Sequence, residues 1–313
     1  MPKIITLTFS PCIDRSTSVP AVLPDKKLKC AAPKLEPGGG GINVARAIKR
    51  LGGEAIAIYP SGGYTGKYFN ALLEKENIPV VIVETQNETR ENIIVLDEST
   101  NLQYRFGMPG TPLHESEWKK MMEVVEGMND LEFIVASGSL PPGVQLDIYA
   151  KLAVIAKKKK AKLVVDTSGE ALKHAANEGV YLMKPNLGEL SSLIGVERID
   201  VEKIEEIGKQ FIAKGHCEIL VVSMGEGGAV LITKDESYRS APPVVRRKSV
   251  VGAGDSMVAG IVLALSQGKN LEETIQFGVA CGTAATMNPG TQLCRKEDAE
   301  HLSTLLKNES RLQ

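Results

Sequence analysis

KLVVDTSGEALKHAANEGVYLMKPN (residues 162–186) holds two short runs of aliphatic and β-branched residues, LVV and VYLM. Each run ends abruptly in polar residues: Asp166 after the first, Lys184 and Asn186 after the second. Strands buried on both faces read this way, because helices cover each side of a parallel sheet. The same signature recurs in both directions, as IITLTF from residue 4, AIAIYP from 55, VVIVE from 80, FIVASGS from 133 and ILVVSMG from 219. Amphipathic stretches at 43–51, 66–76, 115–126, 146–158, 201–214, 252–266, 271–286 and 297–306 alternate with these runs and predict helices. The pattern predicts an α/β fold, a three-layer α/β/α domain with a mostly parallel central sheet.

Two segments break the rhythm. Residues 15–35 carry Pro20, Pro24 and Pro33 among short polar and apolar pieces, and 90–107 alternates as a hairpin does. Together they predict a small β-sheet inserted in a single domain of residues 1–313 and lying over the strand ends as a lid.

The 313 residues include 37 basic and 38 acidic side chains, and no basic tract is interleaved with aromatics, which argues against nucleic acid as a partner. KKKK at 157–160 reads as a solvated helix end, where cations complement the dipole. Five scattered cysteines without a CxxC pair, a start that lacks signal-peptide order, and no apolar run near the ~20 residues of a membrane helix predict a soluble, cytoplasmic protein.

Ligands of open α/β sheets bind outside the carboxyl ends of the strands, so polar residues that directly follow apolar runs are the candidates. In SVVGAGDSMVAGIVLAL (249–265), Gly252, Ala253 and Gly254 permit a sharp turn into a buried helix and leave its first N–H groups facing outward. Such an end accommodates a migrating phosphoryl group, and Asp255 beside it would serve as general base on an attacking hydroxyl. A lone Asp in a first turn equally reads as a helix cap. PGGGGINVARAIKRLGG (37–53) opens a second helix with four consecutive glycines, which predicts close approach of a ligand to the backbone, and Asn43 offers a donor and an acceptor to a polyol. KPNLGEL (184–190) places Asn186 and Glu189 on one helical face, suited to holding Mg²⁺ through water. SMGEGGA (223–229) reads either as a loop along phosphates or as a hairpin turn.

Taken in order, PGGGGINVARAIKRLGG, SGSLPPG, VDTSGEAL, KPNLGEL, VVSMGEGG and VVGAGDSMVAG resemble the ribokinase-like (PfkB) family of carbohydrate kinases, from residue 6 to about 291. The resemblance implies ATP and Mg²⁺ as cofactors, a β-lid and phosphorylation of a sugar hydroxyl. It implies Asp255 as base with Gly252, Ala253 and Gly254 around the anion. Asp14, Gly39 and Asn43 match sugar-binding positions, with Gly40 and Ser139 beside them. Lys184, Asn186, Glu189, Ser223, Gly225 and Gly228 match the nucleotide and magnesium side. A monovalent cation such as K⁺ is implied near Ser249, Val251, Ala285, Asn288 and Gly290. Lid cations Lys27, Lys29, Arg90 in ETREN and Arg105 in QYRFG resemble the branch that acts on phosphorylated hexoses, Arg90 being placed first because a guanidinium grips phosphate bidentately.

Relatives acting on fructose 1-phosphate or tagatose 6-phosphate commonly carry Lys where this chain has Gly40. With GGGGINVARAI, the stretches TLTFSPCIDRS (6–16), KLKCAAP (27–33) and MPGTPL (108–113) resemble the branch that acts on fructose 6-phosphate, which implies its 1-hydroxyl as the acceptor, with those two sugars as alternatives and a non-catalytic sugar-phosphate sensor as a remote one. A nicotinamide enzyme is disfavoured, since no GxGxxG follows the first strand. An open lid sheet needs cover, which predicts a homodimer through the lid.

Overall fold

The computed structural model describes residues 3–310; Met1, Pro2 and residues 311–313 of the expected domain lie outside them. The chain opens with β1 (Lys3–Leu7), β2 (Cys12–Val19), β3 (Lys34–Gly38) and α1 (Gly40–Arg50). There follow β4 (Ile56–Gly62), α2 (Gly63–Lys75), β5 (Val80–Thr85), β6 (Arg90–Asp97), β7 (Leu102–Phe106) and α3 (Glu115–Gly127). The middle holds β8 (Leu131–Ser137), α4 (Ile148–Lys159), β9 (Lys162–Asp166), α5 (Gly169–Glu178), β10 (Val180–Met183), α6 (Leu187–Ile194) and α7 (Ile204–Ala213). β11 (Cys217–Ser223), β12 (Ala229–Ile232), β13 (Ser237–Ser240), α8 (Ala253–Ser266), α9 (Leu271–Thr286) and α10 (Lys296–Ser310) complete it.

Nine strands form the main sheet in the order β13-β12-β11-β10-β9-β8-β1-β4-β5, parallel except for the β11-β12-β13 edge. Each central strand feeds two cores. Phe133 and Val135 of β8 join α1, α8 and α9 on one side, while Ile134 and Ala136 join α3, α4 and α5 on the other. That division is why LVV-type runs show no alternation of polarity: both faces are covered. Successive strands run from β1 to β4 and β5 in one direction and from β8 onward in the other, so the order reverses between β1 and β8. Open α/β sheets bind ligands at the carboxyl ends of such a point.

All seven expected main-sheet strands are present. The β12–β13 hairpin is an addition that the sequence reading did not make, because AVLI spans four residues and SYRS is not apolar. Helix α5 was likewise not expected; its buried face is Ala171, Leu172, Ala175 and Ala176, too small to give a strong apolar stripe. The expected helix over 201–214 divides into a 3₁₀ turn at Val201–Lys203, opened by Asp200, which accepts from Glu202 N, and α7.

The second sheet has the order β3-β2-β6-β7. Its strands begin earlier and end later than the 15–35 segment: β2 starts at Cys12, β3 reaches Gly38, and residues 20–33 between them form no strand. β2 pairs parallel to β6 in register Asp14↔Asn92. One face carries Asp14, Asn92 and Arg105. The opposite face carries Ile93, Leu102, Tyr104 and Phe106, all exposed and the last two 41 % and 51 % accessible.

Candidate active site

Helix α8 begins at Gly252, whose φ of +75° is the left-handed region that favours glycine. A Cβ there would stand 2.7 Å from Leu293 Cδ2. The first bond of the helix runs from Ser256 N to Gly252 O (2.9 Å), which leaves the N–H groups of Ala253, Gly254 and Asp255 without a partner inside the helix. Three donors thus stand together at this helix start, the arrangement that an anion hole requires.

Asp255 sits in this first turn, partly buried, and its Oδ2 accepts from Asn43 Nδ2 at 2.9 Å. Burial raises its carboxyl to about 7, with repulsion from Asp166 adding to the shift and the Asn43 hydrogen bond and Lys184 opposing it. Such a value suits a group that exchanges a proton near neutrality. Lys184 Nζ lies 3.0 Å from Asp166 Oδ1. Burial alone would lower the Lys184 ammonium, but Asp166, with Asp255 and Glu189, holds it above its ordinary range, so it stays charged beside Gly254. Asp14 faces the same space from β2; its carboxylate accepts from Asn92 Nδ2 (3.0 Å) and the Cys12 thiol (3.3 Å). Burial raises its pKa despite those bonds.

The glycine cluster makes close approaches to the protein itself: a Cβ at Gly38 would lie 2.3 Å from Asp14 Oδ2, at Gly40 2.3 Å from Ser137 Oγ and 2.7 Å from Gly138 N, and at Gly41 2.5 Å from Leu7 O. Gly39 adds a φ of +111°. The glycines let α1 press against the ends of β1 and β8 and so bring Asn43 to Asp255. At Gly40 the end of β8 leaves little room for a side chain. Ser139 follows β8 and is exposed at the same rim.

Where the nucleotide was expected, a cavity of about 470 Å³ runs from Ala253 and Gly254 along Ser223, Gly225 and Gly228. SMGEGGA turns β11 into β12, as a hairpin turn does, and its Ser223, Gly225 and Gly228 line this cavity. The apolar wall was not found in the sequence: Val245, Val250, Met257, Val279 and Thr283 come from three separated segments, and only the packing of α8 on α9 brings them together. Asp166 followed an apolar run but was not assigned a role. Asn186 and Glu189 form a reciprocal cap at the start of α6: Glu189 N donates to Asn186 Oδ1 (2.9 Å), and Asn186 N donates to Glu189 Oε2 (2.8 Å). The pair meets at the start of α6, with Asn186 Oδ1 and Glu189 Oε2 engaged in the cap and Glu189 Oε1 making no hydrogen bond among the described residues.

Arg90 heads β6, but its Nη1 and Nη2 donate to Met108 O (2.8 Å) and Ser10 O (3.2 Å), so the fork that was expected to grip phosphate is engaged by backbone carbonyls. Its Nε is buried without a partner among the described residues. Lys27, Lys29 and Arg105 are exposed and make no ion pair among the described residues. Of the monovalent-cation candidates, Ser249 Oγ donates to Gly290 O (2.7 Å) and accepts from Val251 N (3.2 Å), while Asn288 N donates to Ala285 O (3.1 Å) at the end of α9. The lid reaches this loop through Thr291 Oγ1, which donates to Glu36 Oε2 at 2.9 Å.

An open helix start beside a recessed carboxylate and a nucleotide-sized cavity, under a β-lid on an α/β sheet, defines a kinase of small hydroxylated substrates. The chain belongs to the pfkB family of carbohydrate kinases, whose pattern it matches over residues 7–298. It is 44% identical over 307 residues to ATP-dependent 6-phosphofructokinase isozyme 2 of Escherichia coli (strain K12), covering 98% of this chain and 99% of that protein. It is 32% identical over 285 residues to the 1-phosphofructokinase of Bacillus subtilis (strain 168), covering 91% and 93%. The crystal structure of phosphofructokinase-2 from Escherichia coli in complex with potassium superposes with a TM-score of 0.94 at 44% identity, covering 98% of this chain and 100% of that one. No helix among the described residues is long and apolar enough to cross a membrane.

Proposed function

We propose that this protein transfers the γ-phosphoryl group of ATP to the 1-hydroxyl of fructose 6-phosphate, giving fructose 1,6-bisphosphate and ADP. The observation that carries the chemistry is Asp255, recessed, hydrogen-bonded by Asn43 and adjacent to three N–H groups that have no partner inside the helix. The choice of acceptor rests on the higher identity to the 6-phosphofructokinase than to the 1-phosphofructokinase. As the sugar oxygen bonds to the γ-phosphorus and the bond to the bridging oxygen of ADP breaks, Asp255 takes the hydroxyl proton. The N–H groups of Ala253 and Gly254 and the Lys184 ammonium meet the charge on the transferring oxygens without reorganisation. Asp14 and Asn43 hold sugar hydroxyls. Arg90, Arg105 and Lys27, with Ser139 and Gly40 at the rim, form the side that receives the substrate phosphate; Arg90 does so by exchanging carbonyl partners for phosphate oxygens.

Mg²⁺ fits the open Glu189 oxygen through water, together with the nucleotide phosphates, where it would neutralise charge on the β and γ groups. K⁺ fits the loop of Ser249, Val251, Ala285, Asn288 and Gly290, whose clustered carbonyls would be oriented by the ion. The test is ADP release with fructose 6-phosphate, fructose 1-phosphate and tagatose 6-phosphate, with and without K⁺. A kcat/KM at least ~10-fold higher for fructose 6-phosphate, raised by K⁺, is expected; a preference for either other sugar would leave the transfer chemistry standing and overturn the acceptor.

The exposed face of Ile93, Leu102, Tyr104 and Phe106 supports a homodimer through the lid, since monomers rarely leave such a sheet face in water. The free cysteines suit a reducing, cytoplasmic compartment. Phe106→Glu, which places a charge on that face, is expected to convert the dimer to a monomer at micromolar concentration. Analytical ultracentrifugation reads the result, and an unchanged sedimentation coefficient would remove the lid from the interface.

A further inference from the structure

Arg46, one turn after Asn43 on α1, is 1 % exposed. A guanidinium so deep is costly unless its donors are used, and they are. Nε lies 3.0 Å from both Glu76 oxygens, Nη2 donates to Glu76 Oε1, and Nη1 donates to Pro37 O (2.6 Å) and reaches Asn43 Oδ1 at 3.4 Å. Arginine carries donors alone, so the end of the Asn43 amide that faces it must be the oxygen. The amide nitrogen is thereby left for Asp255, at 2.9 Å.

We propose that Arg46 is a positioning residue for phosphoryl transfer: through Asn43 it fixes which end of the amide the Asp255 carboxylate meets. This inference rests on the reading of Asp255 as base. With the amide inverted, Oδ1 would oppose a carboxylate oxygen, and only a protonated Asp255 would tolerate that contact, which removes the base from service. Holding the amide in one orientation keeps Asp255 ionised and aimed at the substrate hydroxyl. The remaining charged neighbours do not substitute for it. Around Arg46 stand Glu76, Glu36 at 3.8 Å and, on the same helix, Arg50; around Asp255 stand Asp166, Lys184 and Asp14, with the Cys12 thiol beyond. Glu36 and Glu76 extend the arrangement to β3 and to the end of α2, so the amide is set from a shell that touches no substrate.

Arg46→Met in the full-length protein tests this, with Arg46→Met/Glu76→Gln as the variant that removes the Glu76 charge along with that of Arg46 and leaves Glu36 its ion pair with Lys34 (3.0 Å); a melting curve checks that each variant is folded. In both, kcat is expected to fall roughly 10- to 100-fold, while KM for ATP changes less than about twofold, and Arg46→Lys, which retains a donor, should restore most of the loss. In an Asn43→Ala background the same substitution is expected to change kcat less than about threefold, because the group it orients is gone. A folded charge-neutral variant with near-normal kcat, or a full-sized effect in the Asn43→Ala background, would overturn the proposal. Asp255→Asn run in parallel separates the two readings: if it retains turnover the base assignment fails, whereas a dead Asp255→Asn beside an unaffected Arg46 variant refutes the positioning alone.

Discussion

Asp255→Asn is expected to lower kcat roughly 10³- to 10⁴-fold with little change in KM for either substrate, and at the same time to stabilise the fold. Asparagine keeps an oxygen for Asn43 Nδ2 but accepts no proton. In the parent enzyme the base works only when ionised, so kcat/KM should fall about tenfold per unit below an acid limb near pH 7, the value to which burial and Asp166 raise this carboxyl. The variant's residual activity should show no such limb.

The stability change follows from the same shift with its own sign. The folded pKa of about 7 lies above the ordinary 3.8, so the unfolded chain gives up this proton first, and the fold loses stability as pH rises from about 4 to about 7. Above pH 7 the full penalty is present, on the order of 4 kcal/mol at about 1.4 kcal/mol per unit. A neutral amide avoids it, and Tm at pH 8 should rise by roughly 5 °C or more, converging with the parent near pH 4. Melting curves and pH–rate profiles of the two proteins decide the matter. Near-parental turnover would remove Asp255 as base, and an unchanged Tm would mean that the carboxylate is better solvated than its surroundings indicate.

Gly40→Lys carries the second large expected effect, and it is a loss rather than a change of substrate. The new Cβ would meet Ser137 Oγ at 2.3 Å and the backbone of Gly138 at 2.7 Å, so α1 or the end of β8 has to move. Overpacking of this kind costs about 1–3 kcal/mol. The displacement falls on Asn43 three residues on, and a shift of about 1 Å there is expected to lower kcat/KM on fructose 6-phosphate about 100-fold. No compensating gain on fructose 1-phosphate should appear. A variant that folds as the parent does and prefers fructose 1-phosphate would show that the side chain at this position selects the acceptor.

Legibility in the sequence followed how local each feature is. The main-sheet strands were readable because burial on both faces leaves uninterrupted apolar runs, and α9 matched its expected bounds because a long stretch is closed at its start by Asn270, which accepts from Glu273 N at 2.8 Å. Asp255 and its helix start were visible because both lie in one continuous segment. What escaped depends on distant pairing. The Asp166–Lys184 ion pair joins two strand ends, and the wall of Val245, Val250 and Val279 exists only once α8 lies on α9. The glycine cluster reads as a place of close approach in the sequence, but its protein neighbours, Leu7 O, Asp14 and Ser137, belong to three different strands and show only in the fold. Arg90 illustrates the converse: its residue type fits a phosphate grip, and only the fold reveals that its fork is occupied by Met108 O and Ser10 O.

The reversal of strand order between β1 and β8 has an evolutionary corollary. Side chains proposed for the sugar, Asp14, Asn43, Arg90 and Arg105, precede β8 or flank it, whereas Lys184, Ser223, Gly225, Gly254 and the apolar wall follow it. On the function proposed above, acceptor and donor are read by successive halves of one polypeptide, which meet at the hydrogen bond from Asn43 to Asp255. On that reading, mutation in the first half alters what is phosphorylated and leaves the donor side of the sheet intact.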